Sequence, residues 1–397
     1  MPVRYIDEMD IRGKRVFIRV DFNVPMDKLG NITDDTRIRS HLSTINFALD
    51  ERAKIILASH MGRPKGHDKK YSLKPVAKRL SRLIDKEVKM APDCIGSPVE
   101  QLVEKMKEGD VLLLENLRFH SGEEKNDDEF AAHLARLADV YINDAFAVLH
   151  RAHASTFSIV KCFDECGGGF VVKQELTYFH QAMDSPSRPL VVIMGGAKVS
   201  GKLEVLTNLI KKVDKLIIGG GMAFTFLKSM GHEVGKSLVE KELLGVAAEI
   251  METARQNHIK LYLPIDCVIA EKMTQDAETK VVPIQEIPKD WMALDIGPAS
   301  TMLFREVLQD AKTIIWNGPM GAFEIDMFSR GTYAMVENVA NSYALTIVGG
   351  GDTDVAVKKL EGIFKMSYVS TGGGAFIELL GGKKLPGIEA LETKYKE

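Results

Sequence analysis

Cysteine is scarce in this sequence, with four residues (Cys94, Cys162, Cys166 and Cys267) in 397. Cys162 and Cys166 lie close together, but no second Cys/His pair at zinc-finger spacing completes them. Neither a disulfide framework nor a structural zinc site is expected, and the thiols should be reduced. Long apolar runs are also lacking: none reaches the roughly 18 residues of a membrane span. The opening stretch, MPVRYIDEMDIRGKR, carries no apolar signal core. Charge of one sign does not dominate either. Asp plus Glu number 55 against 52 Lys plus Arg, a net charge of −3, so no global field recruits nucleic acid or an anionic membrane. These absences point to a cytoplasmic protein whose partners are small molecules.

What the chain does have is a recurring pattern. A short β-branched apolar run is followed by a polar or glycine-rich loop and then a helical stretch. The runs are RVFIRVDF, AKIILAS, DVLLLEN, VYINDAF, LVVIMGG, KLIIGGG, IKLYLPID, TIIWNGP, LTIVGGG and MSYVSTGGG. Strands alternating with helices predict βαβ units and parallel sheets. Ten strands are many for one sheet, and 397 residues are many for one core. The expected fold is therefore α/β, with two doubly wound, Rossmann-like parallel-sheet domains. The divide falls at ECGGGFVVKQELTYFHQAMDSPSRP, where an amphipathic helix is predicted from about Val171 to Met183.

Loop chemistry changes across that divide. Of 33 glycines, 10 precede residue 188; of 17 arginines, 13 do; of 10 histidines, 8 do. Ligands on open parallel sheets sit at the carboxyl ends of the strands. The first half places Asp21 and Asn23 after its first strand, with Arg37 and Arg39 following. His60 and Arg63 come after the next run, then Arg118 and His120, then His150, Arg151 and His153. Any one arginine reads as solvated surface, and His120 and His150 read as hydrogen-bonded structural groups. Recurrence at successive strand ends describes a pocket for a small, multiply anionic molecule, since guanidinium pairs with carboxylate or phosphate by two bonds. Lys69, Lys70, Lys74, Lys78 and Arg79 read as a solvated basic face.

The second half offers bare backbone instead, in GGAKVSGK, GGGMAF, NGPMGAFE, GGGDTDVAV and STGGGAFIE. Glycine lets backbone N–H groups approach phosphate closely. Five such loops predict a nucleotide polyphosphate site. From Gly196 the chain reads G-x-x-x-x-G-K, but Leu203 stands where a P-loop has Ser or Thr to hold Mg²⁺. Asp352, whose bland reading is a helix N-cap, can supply the metal carboxylate instead. Lys198 and Lys202, four apart, are expected on one face of a helix beginning near Val199. Glu324 is placed to accept from ribose hydroxyls.

The segments RVDFNVP, SHMGRPKG, LLENLRFH, HRAHAS, GGAKVSGK, GGGMAFTFLK, WNGPMGAFE, GGGDT and STGGGAFIELLGGKKLPGIEAL resemble those of phosphoglycerate kinases, from end to end of the chain. The resemblance implies a monomeric glycolytic kinase exchanging a phosphoryl group between 1,3-bisphosphoglycerate and ADP. It implies a triose domain at 1–170, a hinge helix at 171–187, a Mg²⁺–nucleotide domain at 188–380, and a terminal segment, 381–397, returning to the first domain. Asp21, Asn23, Arg37, His60, Arg63, Arg118 and Arg151 would hold the triose. Gly195, Gly219, Gly220 and Leu294 would line the base pocket, and Lys198, Lys202, Asn317, Pro319 and Glu324 would complete the nucleotide site. Gly350, Gly351, Asp352 and Thr353 would lie against the phosphates, with Asp352 at Mg²⁺. Arg37 and Lys198, with the N–H groups of Gly372, Gly373 and Gly374, would stabilise the moving phosphoryl group.

Two stretches depart from the family pattern: DAFAVLH, with Ala147, Val148 and Leu149 bulkier than usual, and CFDECGGGF. Two other readings compete. A dinucleotide-dependent dehydrogenase would need G-x-G-x-x-G with an acidic residue about 20 positions on, which is absent. A silent ligand-binding relative would be favoured by loss of Arg37, Lys198 or Asp352, and all three are present.

Overall fold

A computed structural model describes residues 3–360 and 365–394. The chain divides into two compact units, residues 1–176 with 384–397, and residues 177–383. The division falls inside one helix, Phe170–Met183. That helix stops short of residue 187, and the return to the first unit begins at 384 rather than 381.

The first unit is built on strands β1 (Arg15–Arg19), β2 (Lys54–Ala58), β3 (Val88–Met90), β4 (Val111–Leu113), β5 (Val140–Asn143) and β6 (Glu165–Gly168). They form one sheet in the order β3-β4-β2-β1-β5-β6, with every pairing parallel. The central strands are apolar without alternation because helices cover both faces. Val16, Phe17, Ile18, Ile55, Ile56 and Leu57 are fully buried.

The second unit repeats the plan with β7 (Leu190–Met194), β8 (Lys215–Ile218), β9 (Lys260–Tyr262), β13 (Thr313–Asn317), β14 (Leu345–Gly349) and β15 (Tyr368–Val369). Their order is β15-β14-β13-β7-β8-β9, again all parallel. Between β9 and β13 lies a small antiparallel sheet of β10 (Asp266–Ala270), β11 (Thr279–Pro283) and β12 (Met292–Ile296). It seals its own apolar cluster of Phe224, Leu227, Cys267, Ile269, Ile287 and Trp291. In each unit the chain runs outward from a central strand (β1 or β7) whose two neighbours continue in opposite directions. That reversal opens a crevice at the carboxyl ends of the central strands.

Both departures from the family pattern have local packing reasons. In CFDECGGGF, Gly167 and Gly168 end strand β6, and the segment at Arg4 and Tyr5 runs alongside it, with Tyr5 and Gly168 in a parallel bridge. Gly168 N donates to Arg4 O (2.8 Å), and a Cβ on Gly167 would sit 2.9 Å from that same carbonyl oxygen. At Gly169 a Cβ would meet Asp144 Oδ1 at 2.2 Å. In DAFAVLH, Leu149 is fully buried against the terminal helix Pro386–Thr393. Gly387 there leaves room for its side chain and donates to Leu149 O (3.0 Å). The four cysteines are free thiols, three of them buried and Cys162 exposed.

Candidate active site

In the first unit the crevice is lined by charged side chains resting on a buried polar layer. Asp21, just past β1, is buried, and its Oδ2 accepts from Arg37 Nη1 (2.8 Å), which also donates to Asn23 O (3.2 Å). Burial alone would raise the Asp21 pKa. The positive charges of Arg37 and, behind it, Arg19 hold it below the usual value instead. Asn23 Oδ1 accepts from Gly62 N (2.9 Å), which fixes the loop carrying His60 and Arg63. Arg118, 7 % exposed, donates from Nη1 to Gly62 O (2.7 Å). Arg63 and Arg151 are exposed; Arg151 Nε donates to His150 Nε2 (3.1 Å).

Sequence reasoning missed the layer beneath. Arg19, on β1, is fully buried; it donates from Nε to Ser155 Oγ (2.8 Å) and from Nη2 to His60 Nδ1 (3.2 Å). Glu123, also fully buried, accepts from Ser155 N (3.0 Å) and Ser155 Oγ (2.6 Å). His41 accepts from Asp21 N at Nε2 (3.0 Å), so its proton is on Nδ1 and faces Asp144 Oδ2 (2.8 Å). Asp144 Oδ1 in turn accepts from Val171 N (2.8 Å) in the first turn of helix Phe170–Met183. Asn116 is saturated: Oδ1 accepts from Met61 N and Arg118 N, and Nδ2 donates to Met61 O and Tyr71 O. Burial pushes the His60 pKa well down, and burial with the Arg19 and Arg118 charges pulls His153 down to about 4. Glu123 Oε1 lies 3.9 Å from His153 Nδ1, too far to bond, so the guanidinium field prevails. The outward sign of this layer was Arg19, set between the buried apolar Ile18 and Val20.

The second unit is built differently. The loops after β7, β8 and β13 touch through bare backbone. A Cβ on Gly195 would lie 2.2 Å from Pro319 O, and one on Gly220 would lie 2.6 Å from Gly196 N and O. Gly196 N donates to Pro319 O (2.7 Å). Beside these loops is a cavity of about 470 Å³ whose wall includes Leu294, Met320, Phe224, Leu238 and Met292, together with Glu324 and Asp352. Gly220 and Pro319 line it too. Met292 and Leu294 come from the small antiparallel sheet, whose strands the alternating pattern had not disclosed. Asp295, next to them, is a buried carboxyl accepting from Gly331 N (2.7 Å) and Ile296 N (2.9 Å). Burial pushes its pKa up to about 7 despite those two donors.

The G-x-x-x-x-G-K segment is not a P-loop. Glu240 Oε2 takes the N–H groups of Val199 (2.6 Å) and Ser200 (3.1 Å), so those donors are not open to a phosphate. The helical start expected near Val199 is present, with Val199 as its N-cap, but as a 3-10 turn rather than an α-helix. A 3-10 turn, Ser200–Lys202, leads into a helix starting at Leu203, because the Glu240 carboxylate holds the loop in place. Lys198 and Lys202 consequently diverge. Lys202 points inward and donates to Gly195 O (2.6 Å) and Asn317 O (2.9 Å), and burial brings its pKa down to about 7. Lys198 is exposed, and no hydrogen bond or ion pair engages it among the described residues.

Asn317 and Thr353 are also tied to backbone: Asn317 Nδ2 donates to Gly349 O (2.7 Å), and Thr353 Oγ1 accepts from Gly318 N (2.7 Å). Helix Gly351–Lys359 begins at Gly350 with no side chain capping it, so no capping side chain occupies its first N–H groups. Asp352 is therefore not the N-cap but an exposed first-turn carboxylate. A hard oxygen donor there, beside uncapped N–H groups and near enough to the Lys202 ammonium to act on it, fits Mg²⁺ held jointly with a phosphate. Gly373 and Gly374 open the helix Gly373–Leu380, and Gly372 N is already engaged by Ser370 Oγ (3.2 Å).

By fold, this is an α/β protein of two parallel six-stranded sheets flanked by helices. A family model described as phosphoglycerate kinase matches residues 6–383. A phosphoglycerate kinase of Geobacter metallireducens is 65% identical over 398 residues, covering 100% of both chains. That of Aquifex aeolicus is 57% identical over 387 residues, 98% of each. The solved structure of the enzyme from Coxiella burnetii aligns with a TM-score of 0.90 at 40% identity, covering 99% of both chains. That from Pyrococcus horikoshii gives 0.85 at 30%, with the same coverage. The chain belongs to the phosphoglycerate kinase family, and is thus a kinase of glycolysis. Among the described residues no helix is long and apolar enough to cross a membrane.

Proposed function

We propose that this kinase reversibly transfers a phosphoryl group from 1,3-bisphosphoglycerate to ADP, acting as a cytoplasmic monomer. The first unit would bind the triose and the second the Mg²⁺–nucleotide. The observation that carries this assignment is the contrast at the two sets of strand ends. Arg37, Arg118 and His60, with Asp21 and Asn23, converge in one unit, while uncapped helix-start N–H groups adjoin an apolar cavity in the other.

In the direction that consumes ATP, the attacking group is a carboxylate of 3-phosphoglycerate. It is ionised at neutral pH, since carboxyl groups titrate near 4. No residue has to remove a proton, and the work left to the protein is positioning and charge neutralisation. Arg63, Arg118 and Arg151 would hold the triose phosphate and carboxylate. Arg37 keeps one edge of its guanidinium on Asp21 and Asn23 and would turn the other to the moving group, opposite Lys198. The cavity walled by Leu294, Gly220 and Pro319 would take the base, with Gly219 packed against Met320 behind that wall and Glu324 accepting from the ribose. Lys202, Asn317 and Gly195 would shape that site from behind through the bonds already described. The N–H groups of Gly351, Asp352 and Thr353 would meet the nucleotide phosphates, and those of Gly373 and Gly374 the transferred group. Mg²⁺, when bound with nucleotide at Asp352, neutralises phosphate charge. Because the ligands bind separate units, transfer requires them to close around a hinge in the Phe170–Met183 region, which excludes water from the acyl phosphate.

The test is turnover of 3-phosphoglycerate with Mg-ATP, coupled to glyceraldehyde-phosphate dehydrogenase and NADH. Triose-dependent NADH loss that stops in EDTA, with a coupling enzyme unaffected by EDTA, is the expected result. Triose-independent NADH loss, or none while both ligands still bind, would overturn the assignment.

A further inference from the structure

Away from the residues assigned above, the first unit gathers His67, Asp93 and His120. One ligand atom from each lies within 4.8 Å of the other two. His120 Nε2 is 2.7 Å from Asp93 Oδ1, and His67 Nε2 is 3.7 Å from Asp93 Oδ2. The three residues come from different segments: the loop after β2, the turn after β3, and the residue that ends the 3-10 turn Leu117–Phe119 after β4. Both imidazoles are held by aromatic rings, His67 against Phe119 (centroids 4.6 Å) and His120 against Phe130 (5.4 Å, nearly parallel). Cys94 N donates to Asp93 Oδ1 (2.7 Å), which fixes the carboxylate.

We propose that His67, Asp93 and His120 form a binding site for one borderline transition-metal dication of the Zn²⁺ class. Two imidazole nitrogens and one carboxylate suit Zn²⁺, Co²⁺ or Ni²⁺, whereas Mg²⁺ prefers an all-oxygen shell. Tetrahedral coordination with bonds of about 2.0–2.2 Å sets neighbouring ligand atoms roughly 3.3 Å apart. The His120–Asp93 pair must open slightly and the His67–Asp93 pair contract slightly to reach that spacing. His67 is half exposed on a loop, so its ring can make the larger adjustment. The proton on His120 Nε2 shifts to Nδ1 as the metal takes its place. Two neutral imidazoles and one carboxylate leave a fourth position for water, as in open zinc sites. The bound ion would tie three loops of one sheet edge together with no disulfide involved.

The test uses tag-free full-length protein, stripped with EDTA, desalted and kept free of nucleotide. Co²⁺ is followed by its visible d–d absorption, and Zn²⁺ by displacement of Co²⁺ and by competition with a chromophoric chelator. One equivalent should bind, and Zn²⁺ should displace Co²⁺. His67→Ala, which removes an exposed side chain, should weaken binding by about tenfold or more while leaving the unfolding temperature of the metal-free protein unchanged. Asp93→Asn should weaken it as well. Undiminished Co²⁺ and Zn²⁺ binding in His67→Ala, or no site tighter than millimolar in the wild-type chain, would overturn the proposal.

Discussion

The two units share a sheet plan and differ in what they put at the strand ends. The first presents cationic side chains whose orientation depends on a buried polar layer: Arg19, Glu123 and Ser155 under His60, His41 and Asp144 under Asp21, Asn116 under Arg118. The second presents backbone, and its precision comes from loops packed so closely that a methyl group has no room. One site should therefore fail when a side chain is deleted, and the other when an atom is added.

The largest effect tests the proposed transfer itself. Lys198→Ala should lower turnover about 10²–10³-fold, the usual loss for one preorganised charge-stabilising donor. Triose affinity should move less than about twofold. Because Lys198 is exposed and makes no protein bond among the described residues, stability should not change. Turnover within about twofold of wild type would remove Lys198 from the reaction.

The next pair sets deletion against addition. Asn116→Ala in the first unit leaves Met61, Arg118 and Tyr71 backbone groups unpaired, at about 1–3 kcal/mol. Calorimetry should show weaker 3-phosphoglycerate binding and unchanged ADP binding. Gly220→Ala in the second unit should do the reverse. Its φ is +66°, and the new Cβ would press on Gly196 and Pro319 backbone, an overpacking cost of about 1–3 kcal/mol. Gly201→Ala, with nothing within 4 Å of its Cβ, is the control and should stay within about 0.5 kcal/mol. If Gly220→Ala left ADP affinity intact, close backbone packing would not be what shapes the second site.

Much of this was legible in the sequence, for reasons that also explain what was not. Each of the ten apolar runs contains a strand, because buried parallel strands must be continuously apolar. Strand β3 has three residues at a sheet edge with one exposed, so its run was too short to register. Strand β6 reads ECGG, which resembles a loop, yet its glycines leave room for Arg4, Tyr5 and Met9, which pack directly beside it. The small sheet β10–β12 has β11 largely exposed, and the cavity wall it contributes was visible only at Leu294. The glycines were read as serving a phosphate; what the structure shows at Gly195, Gly219 and Gly220 is loop-to-loop and loop-to-Met320 contact, which no local pattern reveals. Lys202 illustrates the same limit. A four-residue spacing suggested a shared helix face, but Glu240, some forty positions away, sets the turn that separates it from Lys198.

The smallest effect is a difference of sign between the two units in acid. His153 in the first unit has a folded pKa of about 4, below the unfolded value near 6.5. The unfolded chain takes up the proton first, so the stability His153 confers is present above pH 6.5 and drains away as pH falls toward 4. Asp295 in the second unit has a folded pKa of about 7, above the unfolded value near 3.9. There the folded chain holds the proton longer, so its contribution is full below pH 3.9 and is lost as pH rises toward 7. Urea unfolding of wild type, His153→Gln and Asp295→Asn at pH 5 and pH 7 separates the two. The wild-type advantage over His153→Gln should be larger at pH 7, and that over Asp295→Asn larger at pH 5. Both differences changing in the same direction would mean that the buried carboxyl of the second unit is ionised like its exposed neighbours. The distinction between a histidine kept neutral by burial together with guanidinium charge and a carboxyl kept protonated by burial against two N–H donors would then be lost.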